Sequence, residues 1–213
     1  MKKLSVKTMV LLAMLAAVAY MIVALVRIPV VLFLKYEPKD VIITIGGFLL
    51  GPMASFIVSF LVSLLEMVTV SETGPIGALM NLLSTCAFSC VAAFIYKRKH
   101  TLGGAIAGLA CGSVFMVGIM MLWNWLITPL YMGVERAAVE AMLLPAFLPF
   151  NALKAGLNSA LVLLLYKPLA TALRKTGLVS SSNSGSSKVG IYLLGAGLLI
   201  TCILLLLVFQ GKI

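Results

Sequence analysis

The chain has 213 residues, of which 62% are hydrophobic and only 10% charged, where a soluble domain carries about 25% charged residues. Too little polar surface remains to coat a water-facing globule, so soluble folds are excluded and a bilayer must act as much of the solvent. The formal charge is +10, but its basic residues stand in short clusters between apolar runs, which signals membrane topology rather than a nucleic-acid footprint.

Residues 9–26 form the first expected membrane helix. The apolar run continues past the cleavage-like Ala17-Val18-Ala19, so it reads as a retained span and not as a signal peptide. Ala13 and Ala17, with Ala16 beside them, are small residues that let another helix approach closely. That helix belongs either to the body of the protein or to a partner. Residues 27–40 are a mixed segment with Pro29, Pro38 and several charges. Residues 41–70 are apolar throughout but broken at Gly51-Pro52, which predicts either one interrupted helix or two short ones joined by a tight turn. Further spans are expected over 77–96, 103–129 and 145–166. A Ser/Gly-rich tract at 180–188 reads as a linker, and residues 189–209 form the last apolar run.

The distribution of basic residues decides between the two readings of 41–70. With the amino terminus cytoplasmic, two crossings put Lys2, Lys3, Lys7, Lys97, Arg98, Lys99, Lys167, Arg174, Lys175 and Lys188 on the inside. All six acids, Glu37, Asp40, Glu66, Glu72, Glu135 and Glu140, then fall on or near the outside. Two crossings are therefore expected, for seven spans with the carboxyl terminus outside. The first of the pair has ten apolar residues before Gly51, about 15 Å of helix against a core of about 30 Å. It must start early, near Pro38, or lie tilted among its neighbours. The expected organisation is a six-helix membrane domain over 1–178, a linker over 179–188 and an additional transmembrane helix over 189–213.

Ionisable residues within a membrane span are functional candidates. Lys154 lies about nine residues into the sixth span, and Asn151 and Asn158 share its helical face. This stripe either glues helices through hydrogen bonds or lines a polar space. No intramembrane acid is an obvious partner for Lys154; Glu66 is the only rival to a ligand. An ammonium and two amides offer both donors and acceptors, a set suited to a neutral or anionic heterocycle rich in carbonyls and ring nitrogens. Trp123-Asn124-Trp125 near the end of the fifth span is either part of an interfacial aromatic belt or, with Lys35-Tyr36-Glu37, one side of a pocket with aromatic walls and a polar floor. Cys86, Cys90, Cys111 and Cys202 lack metal-ligand spacing and read as packing residues. His100 sits in a basic cluster. No phosphate loop, HExxH or GxSxG motif occurs, so neither an enzyme nor a metal site is expected.

Tyr36-Glu37-Pro38-Lys39-Asp40-Val41 followed by Ile45-Gly46-Gly47-Phe48-Leu49-Leu50-Gly51-Pro52 resembles the substrate-binding subunits of energy-coupling factor (ECF) vitamin transporters, most closely the riboflavin-specific type. Gly74-Pro75-Ile76-Gly77 with Asn81, Tyr96-Lys97-Arg98-Lys99, Trp123-Asn124-Trp125, Pro129-Leu130-Tyr131 and Leu148-Pro149-Phe150-Asn151-Ala152-Leu153-Lys154 extend the resemblance, in order, over about residues 7–175. It implies an all-α polytopic membrane protein whose six-helix core binds riboflavin, or also FMN, near the outer face. Such a subunit docks on a membrane scaffold protein driven by two cytoplasmic ATPases. Riboflavin is then cargo, and no resident cofactor is implied. By the resemblance, Asn124, Asn151 and Lys154 hold the polar edge of the flavin, while Tyr36, Gly74, Gly77 and Asn81 wrap it. Ala13 and Ala17 face the scaffold. Lys39 stands where the family usually has a small Ser. The seventh helix lies outside the six-helix plan and is expected to pack peripherally.

Overall fold

The computed structural model describes residues 5–31, 34–70, 74–175 and 188–211. Helix α1 (Val6–Leu25) starts where Ser5 accepts a hydrogen bond from the Thr8 amide, a cap that typically contributes about 1 kcal/mol. A two-stranded antiparallel hairpin follows, β1 (Ile28–Val31) and β2 (Leu34–Tyr36), with Ile28 opposite Tyr36. These strands lie in the segment 27–40, where no regular element is expected from the sequence. Helix α2 (Lys39–Leu50) runs back from the hairpin to Gly51, whose φ of +97° reverses the chain into α3 (Pro52–Thr69). Glycine tolerates that backbone where a Cβ would strain it, and Pro52 opens the next helix from its favoured first position. The break at Gly51-Pro52 is thus a turn between two helices, as the basic-residue pattern required.

Helix α4 (Gly74–Arg98) and α5 (Leu102–Leu126) form a long antiparallel pair. Thr101 caps α5 by accepting from the Gly104 amide. Two short helices, α6 (Thr128–Met132) and α7 (Arg136–Met142), lead through a π-helical turn (Leu143–Phe147) into α8 (Leu148–Lys175). The expected sixth span, 145–166, is therefore extended at both ends. Helix α9 (Lys188–Phe209) closes the described chain. Of the expected linker 179–188, only Lys188 is among the described residues, as the first residue of α9.

Among the described residues, six helical segments are long and apolar enough to cross a membrane: α1, α3, α4, α5, the run Arg136–Leu173 and α9. Helix α2, at 12 residues, is about 18 Å long and falls short of the seventh full crossing that the sequence suggested. It is tolerated because it lies inside the protein, packed against α1, α3, α4 and α8, with most of its residues buried; at membrane depth, short or irregular backbone is stable where protein rather than lipid surrounds it. The core divides into a cluster along α2, α4, α5 and α8, another between α1, α2 and α3, and a third joining the hairpin to α8 and α9.

One end of the bundle carries the hairpin, α6, α7 and the end of α9. The opposite end carries the Gly51 turn beside Lys97, the α4–α5 connection and the end of α8.

Candidate functional site

At the hairpin end, a cavity partly open to solvent lies between the hairpin, α4, α5, α6 and α8. Asn81 and Ser84 reach it from α4, Asn124 from α5, and Asn151 and Lys154 from α8. Arg27, Lys35 and Glu37 line it from the hairpin segment, and Met80, Met120, Phe150 and Tyr131 supply apolar and aromatic surface.

Asn124 and Asn151 are both buried, and each is steadied by its own helix. The Asn124 amide nitrogen donates to Met120 O at 2.7 Å, and its Oδ1 accepts from the Thr128 hydroxyl at 3.0 Å. The Asn151 amide nitrogen donates to Phe147 O at 2.8 Å. The π-helical turn that ends at Phe147 leads directly into this segment. Each amide nitrogen carries a second proton, and each amide oxygen two lone pairs, so fixed donors and acceptors face the cavity. Such groups can pair with both acceptors and donors on a bound ligand.

The charges behind this surface pair in two chains. In the first, Arg27 Nε lies 3.2 Å from Glu37 Oε1, and Lys39 Nζ lies 3.1 Å from Glu37 Oε2. Lys39 also donates to both oxygens of Glu66, 2.6 Å to Oε2, and that oxygen accepts from the Asn81 amide at 2.7 Å. In the second, Lys154 Nζ is 3.3 Å from Asp40 Oδ2 and 3.4 Å from Ser84 Oγ. Asp40 also accepts from Thr85 Oγ1 and from the Asn158 amide. Asn158 Oδ1 in turn accepts from the Tyr36 hydroxyl at 2.9 Å. Burial and the nearby Asp40 carboxylate raise the Tyr36 pKa well above its ordinary value, so the phenol remains a donor. Burial likewise raises the Tyr131 phenol at the cavity edge.

Several expectations change on this geometry. Lys154 has an intramembrane acid beside it after all: Asp40, the second residue of α2. The lysine nevertheless lines the cavity, so its ammonium faces both the acid and the open space. Glu66 is engaged by Lys39 and Asn81 rather than by Lys154. Asp40 and Glu66 are fully buried. Asn158 serves as interhelical glue.

Of the sequence-derived site residues, Asn81, Asn124, Asn151 and Lys154 meet at one cavity; Tyr36, Gly74 and Gly77 are not part of its lining. Tyr36 is buried and bonded to Asn158, while Leu34, Lys35 and Glu37 beside it line the cavity. Trp123 and Trp125 do not line the cavity either; Trp125 Nε1 donates to Glu140 at 2.8 Å. Arg27, Ser84 and Asp40 were missed. The need of Lys154 for a counter-ion was the signal that pointed to an acid such as Asp40. Ala13 and Ala17 are exposed, while Leu12, Leu15, Ala16 and Ala19 on the same helix are buried.

The sequence profile of the family "ECF transporter, substrate-specific component" matches residues 7–166. The chain is 27% identical over 178 residues to the riboflavin transporter RibU of Staphylococcus aureus (strain TCH60), covering 79% of this chain and 93% of that protein. It is 25% identical over 163 residues to the riboflavin transporter FmnP of Bacillus subtilis (strain 168), covering 71% and 85%. A solved structure of the S component of a bacterial ECF transporter superposes with a TM-score of 0.67 at 27% identity, covering 79% of this chain and 98% of that one.

Proposed function

We propose that this chain, which belongs to the family of ECF transporter substrate-specific components, captures riboflavin and delivers it across the cell membrane. The observation that carries the reading is the convergence of Asn81, Asn124, Asn151 and Lys154, from three helices, on one cavity. The carbonyl-rich edge of the flavin would meet the amides and the ammonium, and its benzenoid end would rest on Met80, Met120 and Phe150. The curated riboflavin transporters to which the chain is similar support the choice of vitamin. Riboflavin is cargo in this reading, and the chain is a binding subunit without catalysis of its own.

Orientation and partners belong to the same proposal. Lys97, Arg98, Lys99 and Lys167 lie at the end opposite the cavity, which supports a cytoplasmic amino terminus, an outward-facing cavity and a carboxyl terminus outside. A membrane scaffold subunit and two cytoplasmic ATPase subunits would supply the driving force, with Ala13 and Ala17 on the scaffold face of α1.

The test is isothermal titration of riboflavin into the detergent-purified protein, with Asn151→Ala and Lys154→Met as controls. A yellow, fluorescence-quenched flavin should copurify, and the controls should lose it. Absence of both flavin and binding heat would overturn the assignment, and saturation by a different vitamin would redirect it.

A further inference from the structure

We propose that α9 is a positioning clamp for the ligand cavity: through Gln210 and the face around Cys202 it holds the β1–β2 hairpin where that hairpin forms a cavity wall. The ligand readout of this inference rests on the riboflavin reading above; its structural part does not.

A two-stranded hairpin is at best marginally stable alone, so this one needs support from its neighbours. Its inward residues Val30 and Tyr36 are buried in a cluster with Phe150, Leu153 and Leu157 of α8 and Cys202 of α9. Leu198, Leu199 and Leu206 of α9 pack against the same cluster, as do Ile28, Val31 and Leu34 of the hairpin. Just past the end of α9, the Gln210 side-chain amide donates to Pro29 O at 2.7 Å. Leu199, Cys202, Leu206 and Gln210 recur at intervals of three and four, which places them on one helical face. Cys202 seats closely because its neighbour on α8 is Gly156, where a Cβ would stand 2.7 Å from the sulfur. The other faces of α9 are left to the bilayer, with Leu193 69% and Leu204 51% exposed.

The same hairpin segment sends Leu34, Lys35 and Glu37 into the cavity lining, whereas no α9 residue lines it. The clamp therefore acts through the hairpin. A loosened hairpin opens one wall of the cavity, so ligand escape accelerates more than capture slows; affinity changes in one site reside mostly in dissociation.

The experiment uses the full chain in detergent, carrying Gln210→Leu, the pair Leu199→Ala/Leu206→Ala, and Leu204→Ala as the lipid-facing control. Amide hydrogen exchange of the two strands is measured without ligand, and riboflavin dissociation by the recovery of flavin fluorescence. The clamp predicts faster strand exchange in the first two variants. Dissociation rises about threefold to tenfold for Gln210→Leu, the range expected for one lost hydrogen bond, while Tm stays near that of the parent. Leu204→Ala should match the parent in both readouts. Unchanged strand exchange overturns the proposal, as does faster exchange with an unchanged dissociation rate, or a fall in Tm alone. If the intact chain binds no riboflavin, the transport reading fails and the exchange measurement alone decides the clamp.

Discussion

Lys154 Nζ lies 3.3 Å from Asp40 Oδ2, in a place where the lysine borders the ligand cavity and the aspartate is sealed behind it. In the proposed reading, Asp40 holds the ammonium in position and the ligand is read by the protons that the aspartate leaves free. Removing one partner of a buried pair typically costs about 3–5 kcal/mol, because the other charge stays behind unpaired. Lys154→Met should therefore lose both stability and at least a hundredfold in riboflavin affinity. The double variant Asp40→Asn/Lys154→Met should regain most of the stability and none of the affinity. Thermal unfolding and titration, run on the same samples, separate the two effects; recovery of affinity in the double variant would show that the lysine does not touch the ligand.

Asn124 and Asn151 should behave unlike Asn158. Alanine at 124 or 151 removes groups facing the cavity and should weaken binding about tenfold or more; at 151 Tm should change little, and at 124 it should fall modestly because the buried Thr128 hydroxyl loses its acceptor. Asn158→Ala breaks the link between Tyr36 and Asp40, leaving buried polar groups unpaired at a cost of about 1–3 kcal/mol. Its main effect should be a lower Tm, with a smaller loss of affinity. Equal affinity losses for all three would place Asn158 against the ligand too.

Much of this was legible from residue order because a bilayer makes polar residues conspicuous. A lysine and two asparagines on one face of a leucine-rich helix are expensive there, and Asn151 and Lys154 stand at the cavity. The Gly51-Pro52 turn followed from charge counting and local backbone preference. What stayed hidden were partnerships across the fold. Asp40 and Lys154 are far apart in sequence, and Asp40 opens α2 in a segment that reads as a polar loop. The hairpin was obscured because residues 28–36 are too few and too mixed to show period-2 alternation. Tyr36 belongs to a loop motif that points to the ligand, yet its hydroxyl is taken by Asn158 in the core, and Leu34, Lys35 and Glu37 line the cavity instead.

The Lys39–Glu66 pair gives a prediction about stability rather than recognition. Lys39 is buried between Glu37 and Glu66, and Asn81 links Glu66 to the cavity. Lys39→Ser would leave Glu66 without its cation in the protein interior, at a cost of about 3–5 kcal/mol. Adding Glu66→Gln to that variant should recover much of the loss, and a double-mutant cycle in Tm and denaturant midpoint measures the coupling. Additive effects would mean that the two groups do not share one buried ion pair.

Ala13 and Ala17 are exposed on α1, while the opposite face fills the core between α2 and α3. Small residues four apart allow close helix approach in a membrane, and substitution there costs an isolated protein little, since added methyl groups meet only lipid. The double variant Ala13→Leu/Ala17→Leu should bind riboflavin within about twofold of the parent and unfold at the same temperature, since neither residue belongs to the cavity lining. Riboflavin uptake by cells that also express the proposed scaffold and ATPase subunits should fall at least tenfold. Intact uptake would move the docking face elsewhere on the bundle, and lost binding would mean that α1 shapes the cavity. The contrast between full binding and failed transport is the outcome that separates a docking surface from ordinary helix packing.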